Sequence, residues 1–501
     1  MLTEEEVRAL CPKWYAVNWK KIKYKVDKIK GKIAFAYSIG DWKRVSQLQK
    51  QVLNSYTCRM YAVHQVTQKR MKRTAGIDRI FWHSDEERFN AVEKLKDYNN
   101  YQPTPFKRTY VPKDHDKSKK RPLSVPVIYD RAMQALMTIA IDPIVECTAG
   151  MHDYGSRKYR SNQDAVRDIY CTFQLTTTCP YILKTDITQC FDHLSHKWIF
   201  QHTPFNKKLL KKIIKCSYLF KGKLYQMHEG VPQGGVYAPS LINLSLNGFE
   251  RVLTAKYGKN KVHMVRFVDD FLFSSGDVSI LQDVLATLKE FLAERGMYLS
   301  DEKTEIKHIS EGVDYIGRHI VVKNGTLYIK PSEQAIREKK KKVKDIVEQA
   351  KNWTIRQLVL KLNDSIRGWG QHYNYLSPDN YIYEMDDWLQ DVLWEWATRR
   401  YNHHKPQWIY HHLWIWDAKH NRKAFGSAGR NSTKNKPEEV NNGNSETEED
   451  DGVYLERFID QKTKLKEHFD LSKNAYLDRA YFKSQRKVNL SVVRGETEEE
   501  N

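Results

Sequence analysis

The sequence predicts an α+β protein built from several domains, on three observations of its apolar pattern. Between residues 11 and about 70, apolar side chains recur at helical spacing. Residues 110–320 alternate short apolar runs, typical of strands, with amphipathic stretches such as 280–292, typical of helices. After Pro331 the chain becomes helical and strongly basic. Because 501 residues exceed one compact core, we expect roughly two to four domains.

The charge balance points to a polyanionic partner. Lys and Arg number 83 against 62 Asp and Glu, which gives a formal net charge of +21. Thirteen Trp and 29 Tyr accompany the basic residues, and flat rings beside cations suit stacking on bases and neutralising phosphates. Nucleic acid is therefore the expected partner. The alternative is a basic enzyme whose charge only keeps it in solution.

Cysteine usage indicates a reducing compartment. The seven cysteines include no C-x-x-C pair, and none follows Cys216, so a structural zinc site is not expected. The N-terminal ten residues lack the basic and apolar regions of a signal peptide. The apolar stretch 133–145 contains Asp142 and is too short to cross a bilayer. We expect a non-secreted protein of the bacterial cytoplasm or an organellar matrix, with no membrane partner.

Three aspartates are the central candidates for chemistry. The apolar run 181–187 predicts a strand carrying Asp186, and 263–273 predicts a β-hairpin with Asp269 and Asp270 at its tip. Grouped carboxylates are costly unless a cation neutralises them. Two Mg²⁺ ions about 4 Å apart suit such a cluster, since they activate a 3′-hydroxyl and stabilise departing pyrophosphate. The alternative for an isolated Asp-Asp pair is an ordinary hairpin turn, where aspartate is common.

Three motifs in consistent order make the polymerase interpretation specific. Residues 267–270, Phe-Val-Asp-Asp, resemble the Tyr/Phe-x-Asp-Asp box of reverse transcriptases. Asp186 with Phe191 resembles the polymerase motif that supplies the first metal-binding acid and screens the sugar. Between them, residues 230–241 resemble the G-x-P-Q-G-G-x-x-S-P box. Val268 stands where Ala is usual, and its branched side chain crowds the primer end, so altered fidelity or rate rather than inactivity is expected.

Residues 15–420 resemble the group II intron-encoded reverse transcriptases and their free-standing relatives. The further motifs are Thr-Ala-Gly-Ile-Asp at 74–78, Lys-Arg-Pro-Leu-Ser-Val-Pro at 120–126, Tyr-Gly-Ser-Arg at 154–157, Leu-Ser-Asp-Glu-Lys-Thr at 299–304, Tyr-Ile-Gly at 315–317 and Ile-Arg-Gly-Trp at 366–369. The resemblance implies a right-hand polymerase fold. The implied regions are a helical N-terminal extension and start of the fingers at 1–108, fingers at 109–180, an α/β palm at 181–330 and a helical thumb or maturase domain at 331–416.

The remaining C-terminal part carries two further expectations. Residues 417–452 are predicted to be a disordered linker, because from 425 onwards they run to Gly, Ser, Asn, Glu and Asp, which cannot build a core. Residues 453–501 are expected to be a tail. Their stretch 474–482 distantly resembles the segment before the H-N-H endonuclease of many intron proteins, so a DNA-binding remnant and a packing tail both remain open. The endonuclease itself uses paired cysteines and is not expected after Cys216.

The resemblance also implies roles for individual residues near the metals. Asp186 and Asp269 would bind both Mg²⁺ ions, with Asp270 beside them. The backbone carbonyl of Ile187 would be a further ligand. Lys303 is implied as a proton donor to pyrophosphate, and the alternative is a surface lysine that screens phosphate.

A deoxynucleotide pocket is implied in the same way. Phe191 would stack under the deoxyribose and clash with a 2′-hydroxyl, which selects dNTPs. Lys120 and Arg121 would lie over the triphosphate, where a guanidinium grips phosphate oxygens bidentately. Gln233 and Gly234 would line the pocket, since glycine permits a close approach of the backbone.

A basic and aromatic region after the palm is the candidate RNA-binding surface. The candidate residues are Lys339, Lys340, Lys341, Lys342, Lys344, Arg367 and Trp369. In a thumb this region would face the template–primer duplex or intron RNA, and the alternative is a solvated run of charge. The expected partners are thus an RNA template, a DNA primer, dNTPs and group II intron RNA.

Three functional interpretations are open at this point. The protein could be an intron protein that binds its own intron to splice it and then reverse transcribes it in retrohoming. It could be a free-standing reverse transcriptase that serves its host in repair or defence. It could be a splicing-only maturase with an inactive polymerase. The intact residues Asp186, Asp269, Asp270, Phe191 and Gln233 speak against the third, because a decayed polymerase would have lost some of them.

Overall fold

The computed structural model describes residues 9–68, 74–112, 120–174, 179–428, 452–461 and 470–485. The chain divides into two compact units, Met1–His308 with His468–Asn501, and Ile309–Glu467. The division falls after His308 because the strands within 313–331 form a separate three-stranded sheet that packs with the helices following it. The boundary between palm and thumb after residue 330 stays a prediction.

Helices form most of the first unit. Their bounds are α1 (Pro12–Ala16), α2 (Trp19–Ser38), α3 (Trp42–Asn54), α4 (Tyr56–Val66), α5 (Asp85–Lys94), α6 (Ile128–Thr148), α7 (Asn162–Gln174), α8 (Cys190–His193), α9 (His196–His202), α10 (Lys207–Ile214), α11 (Ala238–Leu246), α12 (Phe249–Tyr257) and α13 (Val278–Ala293). Local signals start several of them: Asn18 accepts a hydrogen bond from the Lys21 amide at α2, and Ser84 and Glu87 form a capping box at α5.

Helix α6 is the centre of this unit. Sixteen of its 21 residues are buried, and it packs against α2, α3, α4 and α11. A helix that is apolar on every side is typical of a domain core, which explains the long apolar stretch at 133–145. Among the helices within the described ranges, none is long and apolar enough to cross a membrane.

Two four-stranded sheets complete the first unit. Their strands are β1 (Phe106–Pro112), β2 (Lys120–Val125), β3 (Tyr181–Asp186), β4 (Tyr218–Phe220), β5 (Lys223–Tyr225), β6 (Val262–Phe267), β7 (Asp270–Ser275) and β8 (Glu305–His308). One sheet has the order β2-β1-β4-β5 and the other β6-β7-β3-β8. Helix α13 packs on β3 and β7 through a fully buried face that includes Leu281, Val284 and Leu288. The predicted strand, hairpin and helix in this region are confirmed.

The second unit joins a small sheet to a helical bundle. Its elements are β9 (Val313–Tyr315), β10 (Arg318–Lys323), β11 (Thr326–Pro331), α14 (Glu333–Gln349), α15 (Ile355–Tyr373), α16 (Asp379–Arg400), α17 (Pro406–Leu413), β12 (Trp414–Asp417), β13 (Arg422–Ser427) and β14 (Val453–Tyr454). Short 3-10 helices across both units lie at Asp301–Lys303, Ile309–Glu311, Ala350–Asn352 and Ile459–Gln461. Buried Arg318 donates to the carbonyl oxygens of Tyr373 and Tyr375 at the end of α15, which fastens the sheet to the bundle.

The expectation of a disordered linker at 417–452 needs correction at its start. Residues 422–427 form β13, which pairs with β12 on one side and β14 on the other. Ala424 and Phe425 are buried there, so this part adds to the core despite its polar neighbours. The rest of the predicted linker, residues 429–451, lies outside the described residues.

The C-terminal segment 470–485 belongs to the first unit and packs against α2. The Tyr476 ring is buried, with the ammonium groups of Lys30 and Lys158 lying 5.4 and 4.9 Å from its centroid. Its carbonyl oxygen would lie 3.2 Å from a Cβ added at Gly31, so the two backbones approach closely. Of the two possibilities for the tail, these contacts match the packing tail over this segment. Residues 486–501 lie outside the described residues.

Candidate active site

Strand pairing brings the three candidate aspartates to one end of the β6-β7-β3-β8 sheet. Asp186 ends β3 and lies directly opposite Asp270, the first residue of β7. Asp269 belongs to the two-residue turn between β6 and β7, closed by the pair Phe267 and Asp270. Val268, the other turn residue, has φ of +60°, at the turn position where hairpins of this length usually place glycine. The register alone therefore sets the acids side by side.

The electrostatics of these carboxylates favour bound cations. Burial, and then the negative charges of Asp269 and Asp186, raise the pKa of Asp270 to about 7. Burial and the charge of Asp186 also raise the pKa of Asp269. Lys184 and Lys303 act in the opposite direction on Asp270. Three ionised carboxylates at this point are thus costly without added positive charge.

Lys303 supplies part of that positive charge. Its ammonium group donates to Oδ2 of Asp186. The 3-10 helix that carries Lys303 is tied to β3 because the Ser300 amide donates to the Asp186 carbonyl at 2.8 Å, and Leu299 bridges Ile187. The structure therefore places Lys303 at the acids.

The donor chemistry of the site fits Mg²⁺. Within the described ranges, no three His, Cys, Asp or Glu side chains are already arranged as a metal-binding group. The acids at this sheet end nevertheless offer only oxygen atoms, repel one another and are half-buried, which is the donor set that this hard cation prefers. The Ile187 side chain is buried, so only its backbone could take part.

The residues predicted for the triphosphate lie on a neighbouring strand. Lys120 and Arg121 are exposed at the start of β2, and the charge of Arg121 acts to lower the pKa of Asp269. The Ser124 amide further along β2 donates to the Gln233 carbonyl at 2.7 Å. Gly234 has φ of +106°, and a Cβ there would lie 2.5 Å from the Ser124 oxygen. A side chain at Gly234 would push this loop away from β2.

The same loop also holds Phe191 in α8. The Val231 amide donates to the Phe191 carbonyl at 2.6 Å, and a Cβ at Gly230 would lie 2.7 Å from that oxygen. The Phe191 side chain is half-buried. The Gly-Val-Pro-Gln-Gly loop thus connects β2 with the short helix that follows Asp186.

The candidate RNA-binding lysines differ in their surroundings. Lys341, Lys342 and Lys344 are exposed on α14. Lys340 is half-buried, with its ammonium 5.1 Å from the centroid of the Trp388 ring. Lys339 is only 4% exposed and donates to the Ser365 hydroxyl at 2.7 Å. The run of basic residues therefore offers three exposed cations, and Lys339 is a core residue.

Arg367 and Trp369 on α15 contact a later segment of the chain. The Arg367 guanidinium forms a bidentate ion pair with Glu456, its Nε lying 2.8 and 2.9 Å from the two carboxylate oxygens. Trp369 is 9% exposed and packs edge-on against Phe458, 5.2 Å between centroids. Half of the Arg367 side chain stays exposed, whereas Trp369 presents little surface to a ligand.

Replacing Lys339 tests its burial. Burial, and then the charge of Lys342, lower the pKa of Lys339 to about 7. Between pH 7 and about 10 the unfolded chain holds this proton and the folded chain does not, so the free energy of unfolding gains a contribution that rises with pH. Lys339→Met should lower the slope of the unfolding free energy against pH by at most about 1.4 kcal/mol per pH unit, as measured by urea denaturation at pH 7 and 9.

The matched control is Lys341→Met, on the same helix but exposed, which should keep the wild-type pH dependence. RNA affinity should be unchanged by Lys339→Met. A Lys339→Met protein with the wild-type slope of stability against pH would show that Lys339 is not titrating in the core.

Comparison with known families matches three consecutive parts of the chain. Residues 14–95 match the N-terminal domain of reverse transcriptase, and 111–320 match the reverse transcriptase (RNA-dependent DNA polymerase) domain. Residues 336–421 match the group II intron maturase-specific domain. The middle match contains all three aspartates of the sheet end.

Individual proteins are also similar to this chain in sequence. Protein YkfC of Escherichia coli is 28% identical, over 45% of this chain and 68% of that protein. The group II intron-encoded protein LtrA of Lactococcus lactis is 25% identical, over 49% of this chain and 51% of that protein. Maturase-like protein 1 of Euglena gracilis is 26% identical, over 71% and 76%. The chain thus spans about half the length of LtrA.

A sheet end with three aspartates inside a matched polymerase domain defines an RNA-dependent DNA polymerase of the reverse transcriptase class. Such a domain binds an RNA template. With the maturase-specific domain following it, the chain joins a reverse transcriptase domain to the domain specific to group II intron maturases, and it is similar to the group II intron-encoded protein LtrA. The family, the enzyme class and the right-hand fold class predicted from the motifs are confirmed.

Proposed function

We propose that the protein copies RNA into DNA with two Mg²⁺ ions held by Asp186, Asp269 and Asp270, and that it also binds group II intron RNA as a maturase. The pairing of Asp186 with Asp270, with Asp269 in the adjoining turn, carries the catalytic part. Reverse transcriptases generally use Mg²⁺. When bound, the metal ions would activate the primer 3′-hydroxyl and stabilise the charge of the leaving pyrophosphate.

The protein's own groups bind and orient the reactants. Arg121 and Lys120 stand exposed on β2 and would hold the triphosphate of the incoming dNTP through charge-assisted hydrogen bonds. The Gln233 loop fixes β2 against α8 and so sets the distance between the triphosphate and the sugar. Lys303, already in contact with Asp186, would shift to the phosphates once metal ions take over the carboxylates, and there it can give a proton to pyrophosphate.

Sugar selection tests the nucleotide pocket. Phe191→Ala removes the ring proposed to exclude a 2′-hydroxyl, so the ratio of rNTP to dNTP incorporation should rise by roughly tenfold or more, the range of a steric contact in a pocket. Single-nucleotide extension with matched rNTP and dNTP measures the ratio. Phe191→Tyr keeps the ring and should keep the wild-type ratio. An unchanged ratio in the alanine variant would make Phe191 a packing residue.

The maturase part rests on the domain matched at 336–421 and on the exposed lysines of α14. Sequencing of the RNA that copurifies with the full-length protein tests it. Enrichment of a group II intron is the expected result. A protein that extends primers but retains no intron RNA would instead be a free-standing reverse transcriptase. A protein that retains intron RNA but extends no primer would be a splicing-only maturase.

A further inference from the structure

A buried arginine lies behind the turn that carries Asp269. Arg266, on β6, is 1% exposed. Its Nε donates to Oδ1 of Asp153 at 2.7 Å, and its Nη2 donates to Oδ1 of Asn247 at 2.6 Å. Its Nη1 donates to the carbonyl oxygen of Val268 at 3.0 Å. One guanidinium therefore ties the turn to two other parts of the domain.

The partner carboxylate is buried and ionised. Burial by itself raises the pKa of Asp153, but Arg266 and then Arg157 lower it by more, so the net pKa lies below its ordinary value. The surrounding backbone is paired as well: the Tyr154 amide donates to the Arg266 carbonyl at 2.8 Å, and the Arg266 amide donates to the His152 carbonyl at 2.9 Å. Residues 152–154 thus pair with β6 at Arg266, two residues before Val268.

The turn itself is in a conformation that needs support. Val268 is β-branched and has φ of +60°, a region that such residues rarely occupy and keep only when their surroundings impose it. Gly155 abuts the turn from behind, since a Cβ there would lie 2.4 Å from the Val268 amide nitrogen. The Asn243 side chain holds Gly155 by donating to its carbonyl at 2.9 Å.

We propose that Arg266 is a positioning residue for polymerisation. Together with Asp153 and Gly155, it holds the strained turn at Val268 and so sets where the Asp269 carboxylate stands when metal ions bind. The motif Tyr-Gly-Ser-Arg at 154–157 then helps to position the catalytic acids, although it is more than 100 residues away from Asp269 along the chain. This inference rests on the proposed polymerase function.

Arg266→Lys in the full-length protein is the main test. Lysine keeps the positive charge beside Asp153, but one ammonium cannot reach Asp153, Asn247 and the Val268 carbonyl together. We expect kcat for primer extension to fall by about 10- to 100-fold, the effect of a misplacement near 1 Å, with the KM for the template–primer duplex unchanged. Binding of Mn²⁺, followed by electron paramagnetic resonance without dNTP, should weaken several-fold.

Arg295→Lys is the matched control. Arg295 is also nearly buried in the first unit, but its Nε donates to the Ser245 carbonyl at 2.7 Å and its Nη1 pairs with Glu294. This variant should lose stability to a similar degree while keeping the wild-type kcat and Mn²⁺ affinity. The comparison separates support of the turn from general packing.

Gly155→Ala gives a second route that leaves the buried ion pair intact. Its added methyl group must displace the turn, so both kcat and Mn²⁺ affinity should fall as in Arg266→Lys. If Arg266→Lys does not fold, Gly155→Ala alone tests whether support of the turn sets the position of Asp269. If these variants match Arg295→Lys in either readout, Arg266 is only a packing residue and the inference is overturned. Loss of extension already in the wild type would instead overturn the proposed function.

Discussion

Asp269→Asn is expected to abolish extension of a DNA primer on an RNA template. The amide keeps the shape of the side chain but removes a negative charge from the proposed metal ligands, and metal stabilisation is worth several kcal/mol in the transition state. The single-turnover rate should therefore fall on the order of 1000-fold or more. Affinity for RNA should stay within about twofold, because phosphate contacts come from basic residues elsewhere.

The electrostatics of the site add a second expectation for the same variant. Since burial and the charge of Asp186 raise the pKa of Asp269, the ionised form is disfavoured in the metal-free protein. Asp269→Asn should then unfold at the same temperature as the wild type or higher when no metal is added. Loss of activity with retained stability assigns Asp269 to chemistry.

The control is Asp283→Asn, an exposed carboxylate paired with Lys256 on the same unit. It should leave extension unchanged. Wild-type extension by Asp269→Asn would mean that the hairpin acids do not hold the metal ions, and the proposed site would have to be abandoned.

Changing Lys341, Lys342 and Lys344 together to alanine is expected to weaken RNA binding strongly and leave chemistry intact. If each exposed lysine neutralises one phosphate, each loss should reduce the slope of log affinity against log salt by roughly 0.7 to 0.9. Three losses lower affinity on the order of 10- to 100-fold near 0.15 M salt. Extension at saturating template should survive, because Asp186 and Asp269 are untouched.

Net charge alone could mimic this effect, and a second triple variant controls for it. Lys208, Lys211 and Lys215 are three exposed lysines at α10 in the first unit, and their change to alanine removes the same charge. Binding of structured RNA at several salt concentrations compares the two variants. Equal losses of slope would make the α14 lysines ordinary contributors to net charge, and the maturase surface would lie elsewhere.

The sequence predicted most where the signal was local. The strand at 181–187, the hairpin at 263–273 and the helix at 280–292 follow from apolar periodicity, and all three are present. The reverse transcriptase motifs singled out Asp186, Asp269 and Asp270, which the strand register brings together. Short motifs carry this information because the chemistry needs particular residue types at fixed spacing along the backbone.

Prediction failed where a polar sequence gained order from distant partners. Residues 422–427 lack a strong strand pattern, yet they pair on both sides and bury Phe425. Nothing along the chain reveals that buried Arg318 donates to the Tyr373 carbonyl at the end of α15. Tertiary contacts override local propensity in such segments.

The sequence by itself determined the family, the three aspartates and the basic character of the thumb. Only the tertiary structure decided which of these side chains are exposed to a ligand and which contacts hold them in place. The ammonium group of buried Lys339 donates a hydrogen bond to the Ser365 hydroxyl. The Arg367 guanidinium pairs with the carboxylate of Glu456, 89 residues further along the chain. Arg266 lies 113 residues from Asp153. Sequence periodicity does not reveal such pairs, because a buried charge needs a partner that is close in space but can lie at any distance along the chain.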